Sequence, residues 1–161
     1  MCNKYLSNAS IAAFIVDLLI RKKVRHVCIS PGSRNTPLTK LLLESNTIKC
    51  YSQIDERSSA YFALGMAKTL NAPVAILTTS GTATANLFPG IIEASLSMVP
   101  LIILTADRPK RLIQSGASQT INQINLYGEY VRESRDIDPS KKNINSKLKS
   151  LDKVLDKATE T

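Results

Sequence analysis

Four short stretches of this chain gather residue types that transfer protons or hold anions: "SPGSR" (30–34), "DER" (55–57), "TSGTATAN" (79–86) and "ADRP" (106–109). Glu56 offers a carboxylate for acid–base work, and Arg34 and Arg108 offer planar guanidinium forks that match carboxylates. Ser33, Thr79 and Ser80 add hydroxyls. Each stretch also has a plainer reading. An acid in the first turn of a helix is favoured by the helix dipole alone, by about 0.3–1 kcal/mol at an exposed site. Pro31 and Gly32 are ordinary turn residues, and Ser33 and Arg34 could be solvated. Gly81 precedes a helix whose free N–H groups could hold an anion, or whose small residues could serve only capping and close packing. The phosphate-binding patterns GxGxxG and GxxxxGK[ST] are absent, so an ordinary dinucleotide or P-loop site has no support.

What gives the four stretches a common meaning is the pattern that carries them. "VRHVCIS", "TIKCYSQ", "APVAILTTS" and "VPLIILTAD" read as strands. Between them, "TPLTKLLLESN", "ERSSAYFALGMAKTL" and "TATANLFPGIIEASLSM" read as helices, the second of these starting at Glu56 and the third interrupted near Pro89. Thr36 is the expected cap of the first, with Pro37 at its first position. A helix over Asn3–Lys23 precedes the first strand, with Ser7 or Asn8 as its cap and Ile11, Phe14, Ile15, Leu18 and Leu19 on one face. Apolar strands separated by helices predict a three-layer α/β/α fold with a mostly parallel sheet and right-handed crossovers. In such sheets ligands bind beyond the carboxyl ends of the strands, where all four polar stretches fall. After Asp107 the pattern loosens into loop and a short helix, "RESRDI" reads as a further strand, and "SKKNINSKLKSLDKVLDKATET" as an amphipathic helix.

Composition narrows the classes. The chain has 161 residues, 43% hydrophobic and 21% charged, which suits one domain with its own core. The net charge of +8 is dispersed and aromatics are only 5%, so nucleic acid is not the expected partner. No apolar run approaches the roughly 20 residues of a membrane span, and a cytoplasmic location is expected. Cys2, Cys28 and Cys50 form no CxxC pair and are expected as free thiols. The one histidine, His26, lies in a strand and reads as structural, and no zinc site is expected.

Taken together, "SPGSRNTPLT", "DERSSAYFALGMAK", "TTSGTATANLFPGIIEAS", "LTADRP" and "GASQTINQ" resemble the N-terminal, pyrimidine-binding domain of the 2-succinyl-5-enolpyruvyl-6-hydroxy-3-cyclohexene-1-carboxylate synthase (MenD) family. These are thiamine-diphosphate enzymes of menaquinone biosynthesis. The resemblance runs from about Ile11 to Val131. It implies that Glu56 is the catalytic residue, hydrogen-bonding N1′ of the cofactor's aminopyrimidine so that the ring can exchange a proton. It implies that Ser33, Arg34, Arg108 and Gln119 face the substrates, and that Thr79, Ser80 and Gly81 line the pyrimidine pocket. Arg57 is left structural. The substrates implied are 2-oxoglutarate, which loses carbon dioxide, and isochorismate, which receives the succinyl unit.

The family holds the cofactor's diphosphate and Mg²⁺ in a separate domain carrying a "GDG … NN" motif, which this sequence lacks. Residues 1–161 are therefore expected to form a single pyrimidine-binding domain, without the middle and diphosphate-binding domains, and to be inactive alone. A homo-oligomer, dimer or tetramer, is expected through the missing domain, with an exposed apolar surface where that domain docks. Three alternatives stay open: one subunit of a split synthase, a non-catalytic binding or regulatory module, and the pyrimidine domain of another thiamine-diphosphate carboligase or decarboxylase.

Overall fold

A computed structural model describes residues 7–139 and 144–159. In chain order its main elements are α1 (Asn8–Arg21), β1 (His26–Ile29), α2 (Thr36–Glu44), β2 (Lys49–Ser52), α3 (Glu56–Leu70), β3 (Val74–Thr78), α4 (Thr82–Asn86), α5 (Phe88–Leu96), β4 (Leu101–Thr105) and α6 (Ile144–Thr159). The four strands pair in parallel in the order β2-β1-β3-β4. Because all four run the same way, their carboxyl ends lie along one edge, and the four polar stretches follow those ends.

The alternation of a strand's side chains sorts the core into two layers. Val27, Ile29, Ala75, Leu77 and Ile102 face α1, α2 and α6, meeting Leu18, Leu19, Leu42 and Leu155. Cys28, Val74 and Ile76 face the other way, onto Ala60, Ala63 and Ala67 of α3 and Leu87 and Ile91 at α4–α5. β3, in the middle, is buried at every residue, whereas β2 forms an edge with exposed ends and half-buried Cys50 and Tyr51. The expectation of strands apolar on both faces thus holds for β3 and not for β2.

Ser7 caps α1, its hydroxyl accepting from the Ser10 N–H at 3.1 Å. The expected cap of α2 is corrected. Ser33–Asn35 wind a 3₁₀ turn that leads into the helix, which puts Asn35, not Thr36, at the cap position. Thr36 is already helical, and its hydroxyl donates back to the Ser33 carbonyl at 2.9 Å. The break between α4 and α5 falls at Leu87, just before Pro89. "RESRDI" is a second correction: residues 132–137 lie outside any strand, and among the described residues β4 ends the sheet. Its backbone is engaged by side chains instead, as where Lys147 Nζ donates to the Asp136 carbonyl at 2.9 Å. The last helix starts at Ile144, which with Leu148 packs on Ile11 of α1. The start of the expected first helix, Cys2, and residues 140–143 and 160–161 lie outside the described residues.

Cys28 and Cys50 are free thiols, and burial pushes the Cys28 thiol up to about 12, so it stays neutral. His26 Nδ1 pairs with the Tyr51 hydroxyl at 3.1 Å, and burial, then the charge of Lys49, pushes its imidazole below the ordinary value. That is the structural histidine the sequence predicts. Among the described residues no cluster of His, Cys, Asp and Glu could hold a metal, and no helix is long and apolar enough to cross a membrane.

Two helical glycines behave oppositely, which gives a first testable contrast. A Cβ on Gly90 of α5 would stand 2.6 Å from the Ala60 Cβ of α3, so the two helices touch there without a spacer. Gly90→Ala should cost about 1–3 kcal/mol by overpacking. Gly65 of α3 has nothing within 4 Å of its added Cβ. Gly65→Ala should stabilise the chain by about 0.5–1 kcal/mol through reduced unfolded-state entropy. Urea unfolding of both variants checks this, and equal effects at the two positions would contradict the packing described.

Candidate active site at the carboxyl edge of the sheet

Past the end of β1 the chain turns tightly, and Asn35, 1% exposed, staples it. Its side-chain Nδ2 donates to the Ser30 carbonyl at 2.8 Å while its Oδ1 accepts from the Gly32 N–H at 3.0 Å. A Cβ on Gly32 would stand 2.5 Å from the Thr79 Cβ, so the β1 turn presses directly on the end of β3. This fixes the backbone of Ser33 and Arg34. Arg34, half-buried, points Nη1 at Gln119 Oε1, 2.7 Å away. Ser33 is exposed, and the contact it makes is through its carbonyl, to Thr36.

Past β3, Thr79, Ser80 and Gly81 are buried. The Ser80 hydroxyl donates to the Gln119 carbonyl at 2.8 Å. Gly81 adopts φ +80, and an added Cβ would stand 2.7–2.9 Å from backbone atoms of Gln119. At the Gly81 turn the backbone already makes two bonds. The Gly81 N–H donates to Gln123 Oε1 at 2.8 Å and its carbonyl accepts from the Thr84 N–H at 3.0 Å. Gly81 contributes space, which Gln119 fills.

Past β4, the Asp107 carboxylate accepts from the Arg108 N–H at 2.7 Å, and Arg108 Nη2 donates to the Ser118 carbonyl at 2.8 Å. Burial raises the Asp107 carboxyl above the usual range, the Arg108 N–H works against it, and Asp136 adds to the rise. Arg108 Nε is buried with no partner among the described residues. A buried guanidinium donor without an acceptor is costly, about 1–3 kcal/mol or more for a charged group, and an incoming carboxylate would remove that cost. Arg34, Ser80, Gly81, Gln119 and, through Ser118, Arg108 therefore form one web.

Glu56 stands apart from this web. It opens α3 directly after Asp55, whose carboxylate caps the helix by accepting from the Ser58 N–H at 2.7 Å. With Asp55 doing the capping, Glu56 is released from that duty. Its Oε2 accepts from Asn86 Nδ2 of α4 at 3.2 Å, and no bond to Oε1 occurs among the described residues. The residue is half-buried. This fits a carboxylate held by one oxygen and offering the other, which is what a hydrogen bond to a ring nitrogen requires.

Residues 9–126 match the family of the thiamine pyrophosphate enzyme N-terminal TPP binding domain. The chain belongs to that family. This TPP-binding domain is 49% identical over 130 residues to the 2-succinyl-5-enolpyruvyl-6-hydroxy-3-cyclohexene-1-carboxylate synthase of Roseiflexus castenholzii, covering 81% of the chain and 22% of that protein. It is 55% identical over 122 residues to the enzyme of the same name in Lysinibacillus sphaericus (76% of the chain, 21% of the protein). For that of Bacillus cytotoxicus the figure is 56% over 118 residues (73% and 20%). The domain thus spans about a fifth of the length of these relatives. The family identity and the α/β fold with its parallel sheet agree with the expectation from sequence.

Two residues of the candidate site escape the sequence reading. Asn86 and Gln123 are both present in the quoted motifs, at the ends of "TSGTATAN" and "GASQTINQ". Their partners are 30 and 42 residues away in the chain, and amides in loops carry no charge or spacing that marks them.

Proposed function

We propose that this domain is the pyrimidine-binding part of a thiamine-diphosphate carboligase of the 2-succinyl-5-enolpyruvyl-6-hydroxy-3-cyclohexene-1-carboxylate synthase type, acting on 2-oxoglutarate and isochorismate. The observation that carries this reading is that the carboxyl edge of one sheet carries a carboxylate with one free oxygen, Glu56, and, apart from it, two guanidinium groups, one with an unpaired buried donor. Thiamine diphosphate, when bound, supplies the electron sink for decarboxylation. Glu56 holds the aminopyrimidine through its free oxygen and moves a proton at the ring nitrogen, while Asn86 keeps the other oxygen fixed. Thr79, Ser80 and Gly81 form the floor of the pyrimidine pocket beneath Gln119. Arg34 and Arg108 bind the carboxylates of the substrates, with Ser33 and Gln119 completing that wall.

Among the described residues no group of His, Cys, Asp and Glu could hold Mg²⁺, and this reading assigns the metal and the diphosphate to a diphosphate-binding domain of a partner subunit. Ile54, two residues before Glu56, is 91% exposed, and Tyr61 and Phe62 of α3 are exposed as well. An apolar surface of this kind suits coverage by a neighbouring domain, and it is where that subunit would seat.

The substrate side is tested in the assembled enzyme. Arg34→Ala and Arg108→Ala should each raise the KM for 2-oxoglutarate or isochorismate by about tenfold to a hundredfold, the worth of a charge-assisted pair. If neither substrate's KM moves in either variant, the carboxylate assignment is wrong. Asn86→Ala should lower turnover by about tenfold without changing either KM.

A further inference from the structure

The side-chain amide of Gln123 bridges the two places where the sheet ends. Its Oε1 accepts from the Gly81 N–H, past β3, at 2.8 Å, and its Nε2 donates to the Ala106 carbonyl, the first residue past β4, at 3.0 Å. The β3–β4 ladder itself closes with the Ala106 N–H on the Thr78 carbonyl at 3.1 Å. Gln123 thus continues, with a side chain, a strand pairing that the backbone gives up. The chemistry is selective. A group in this position must accept on one side and donate on the other, and be neutral. A carboxylate has no donor for Ala106, and an ammonium has no acceptor for Gly81.

The consequence falls on Gln119, four residues earlier. Gln119 sits in the left-handed region at φ +52, a costly conformation for a residue with a side chain. Its backbone is pressed on Gly81, and its carbonyl takes the Ser80 hydroxyl. These contacts at Gln119 and the bridge at Gln123 hold the 116–123 loop down at two points, and from the first of them the Gln119 side chain reaches Arg34 Nη1. We propose that Gln123 is a positioning residue: by pinning this loop across the ends of β3 and β4 it fixes Gln119, and through Gln119 the Arg34 guanidinium, in the pose that receives a carboxylate-bearing substrate. This rests on the substrate role given to Arg34 and Gln119 above.

The test has two parts. In the present chain, hydrogen–deuterium exchange at the Gly81 amide should speed up by about tenfold or more in Gln123→Ala, since its acceptor is gone. It should change less in Gln123→Glu, which keeps an acceptor for Gly81. In the assembled enzyme, Gln123→Ala should raise the KM for the substrate bound by Arg34 about tenfold, and by more than it lowers kcat. In a Gln119→Ala background the same substitution should add less than about twofold, because a residue acting through Gln119 loses its effect when Gln119 is gone. Full additivity in the two backgrounds, or unchanged Gly81 exchange, overturns the proposal. Should Gln123→Ala fail to fold, Gln123→Glu takes its place in the cycle, with the lost donor to Ala106 as the perturbation. If Arg34→Ala and Gln119→Ala leave both substrates' KM unmoved, the substrate reading fails. If they raise it while the Gln123 variants do not, this inference alone fails.

Discussion

Replacing Glu56 by Gln in the assembled enzyme should slow proton exchange at C2 of bound thiamine diphosphate by about 10²–10⁴-fold, the usual worth of a positioned acid–base group. The fold should be unaffected. Gln is isosteric, its amide oxygen can still accept from Asn86 Nδ2, and the helix remains capped by Asp55 through the Ser58 N–H. The melting point should therefore move by no more than an ordinary surface substitution allows, within about 0.5 kcal/mol. Exchange measured by proton NMR of the acid-quenched cofactor, beside a thermal melt, reads both. Loss of exchange accompanied by unfolding would leave Glu56 a structural acid, and unchanged exchange would remove it from the chemistry altogether.

Gly81→Ala should be the most damaging single methyl in the chain. Two costs add: the backbone conformation at φ +80, about 1–3 kcal/mol for a residue with a Cβ, and insertion of that Cβ at 2.7–2.9 Å from the Gln119 backbone, about 1–3 kcal/mol more. Gly116 offers the comparison. It has a similar φ of +75, but nothing lies within 4 Å of its Cβ. Gly116→Ala should show a positive-φ cost alone, without the ψ of −138 and the close approach found at Gly81. Urea unfolding of the two variants should therefore find Gly81→Ala the more costly. Equal destabilisation would mean that Gln119 does not rest on Gly81, and the web joining Ser80, Gly81, Gln119 and Arg34 would have to be redrawn. If the approach is as described, Gly81→Ala should also weaken binding at Arg34, because Gln119 can move aside only by giving up one of its bonds.

How far the sequence carries the fold can be judged at particular residues. The helix Glu56–Leu70 is legible to its ends, since Asp55 is a strong cap and Asn71 closes the helix in the left-handed conformation. β3 and β4 are legible because their residues are apolar for burial on both faces or nearly so. β2 is less so: its exposed ends and half-buried Cys50 and Tyr51 give a mixed pattern, and its place at an edge, shared with the mostly apolar β4, follows from strand order, which no local pattern states. "RESRDI" alternates plausibly for a strand, yet it lies past β4 and is held by contacts with α6, such as Lys147 on Asp136 and Lys157 on Glu133. Local pattern cannot see such partners.

The site divides the same way. Glu56, Arg34 and Arg108 announce themselves by charge at strand ends. Gln119 came with the resemblance, not with any spacing. Asn86 and Gln123 act by neutral hydrogen bonds across 30 and 42 residues, and a neutral amide in a polar loop looks like any other until the loop is folded. Gly81 was legible as a special residue, but its two contacts were not: its one N–H is taken by Gln123 Oε1, and its missing Cβ makes room for Gln119.

In the function proposed above, Glu56 meets the aminopyrimidine ring of thiamine diphosphate with the oxygen that Asn86 leaves free. A crystal structure of the assembled enzyme with the cofactor bound tests this most directly. The expected result is Glu56 Oε1 at about 2.6–3.2 Å from the ring nitrogen N1′, with Oε2 still on Asn86. A cofactor seated with its pyrimidine away from Glu56, or with a different carboxylate at that nitrogen, would contradict it.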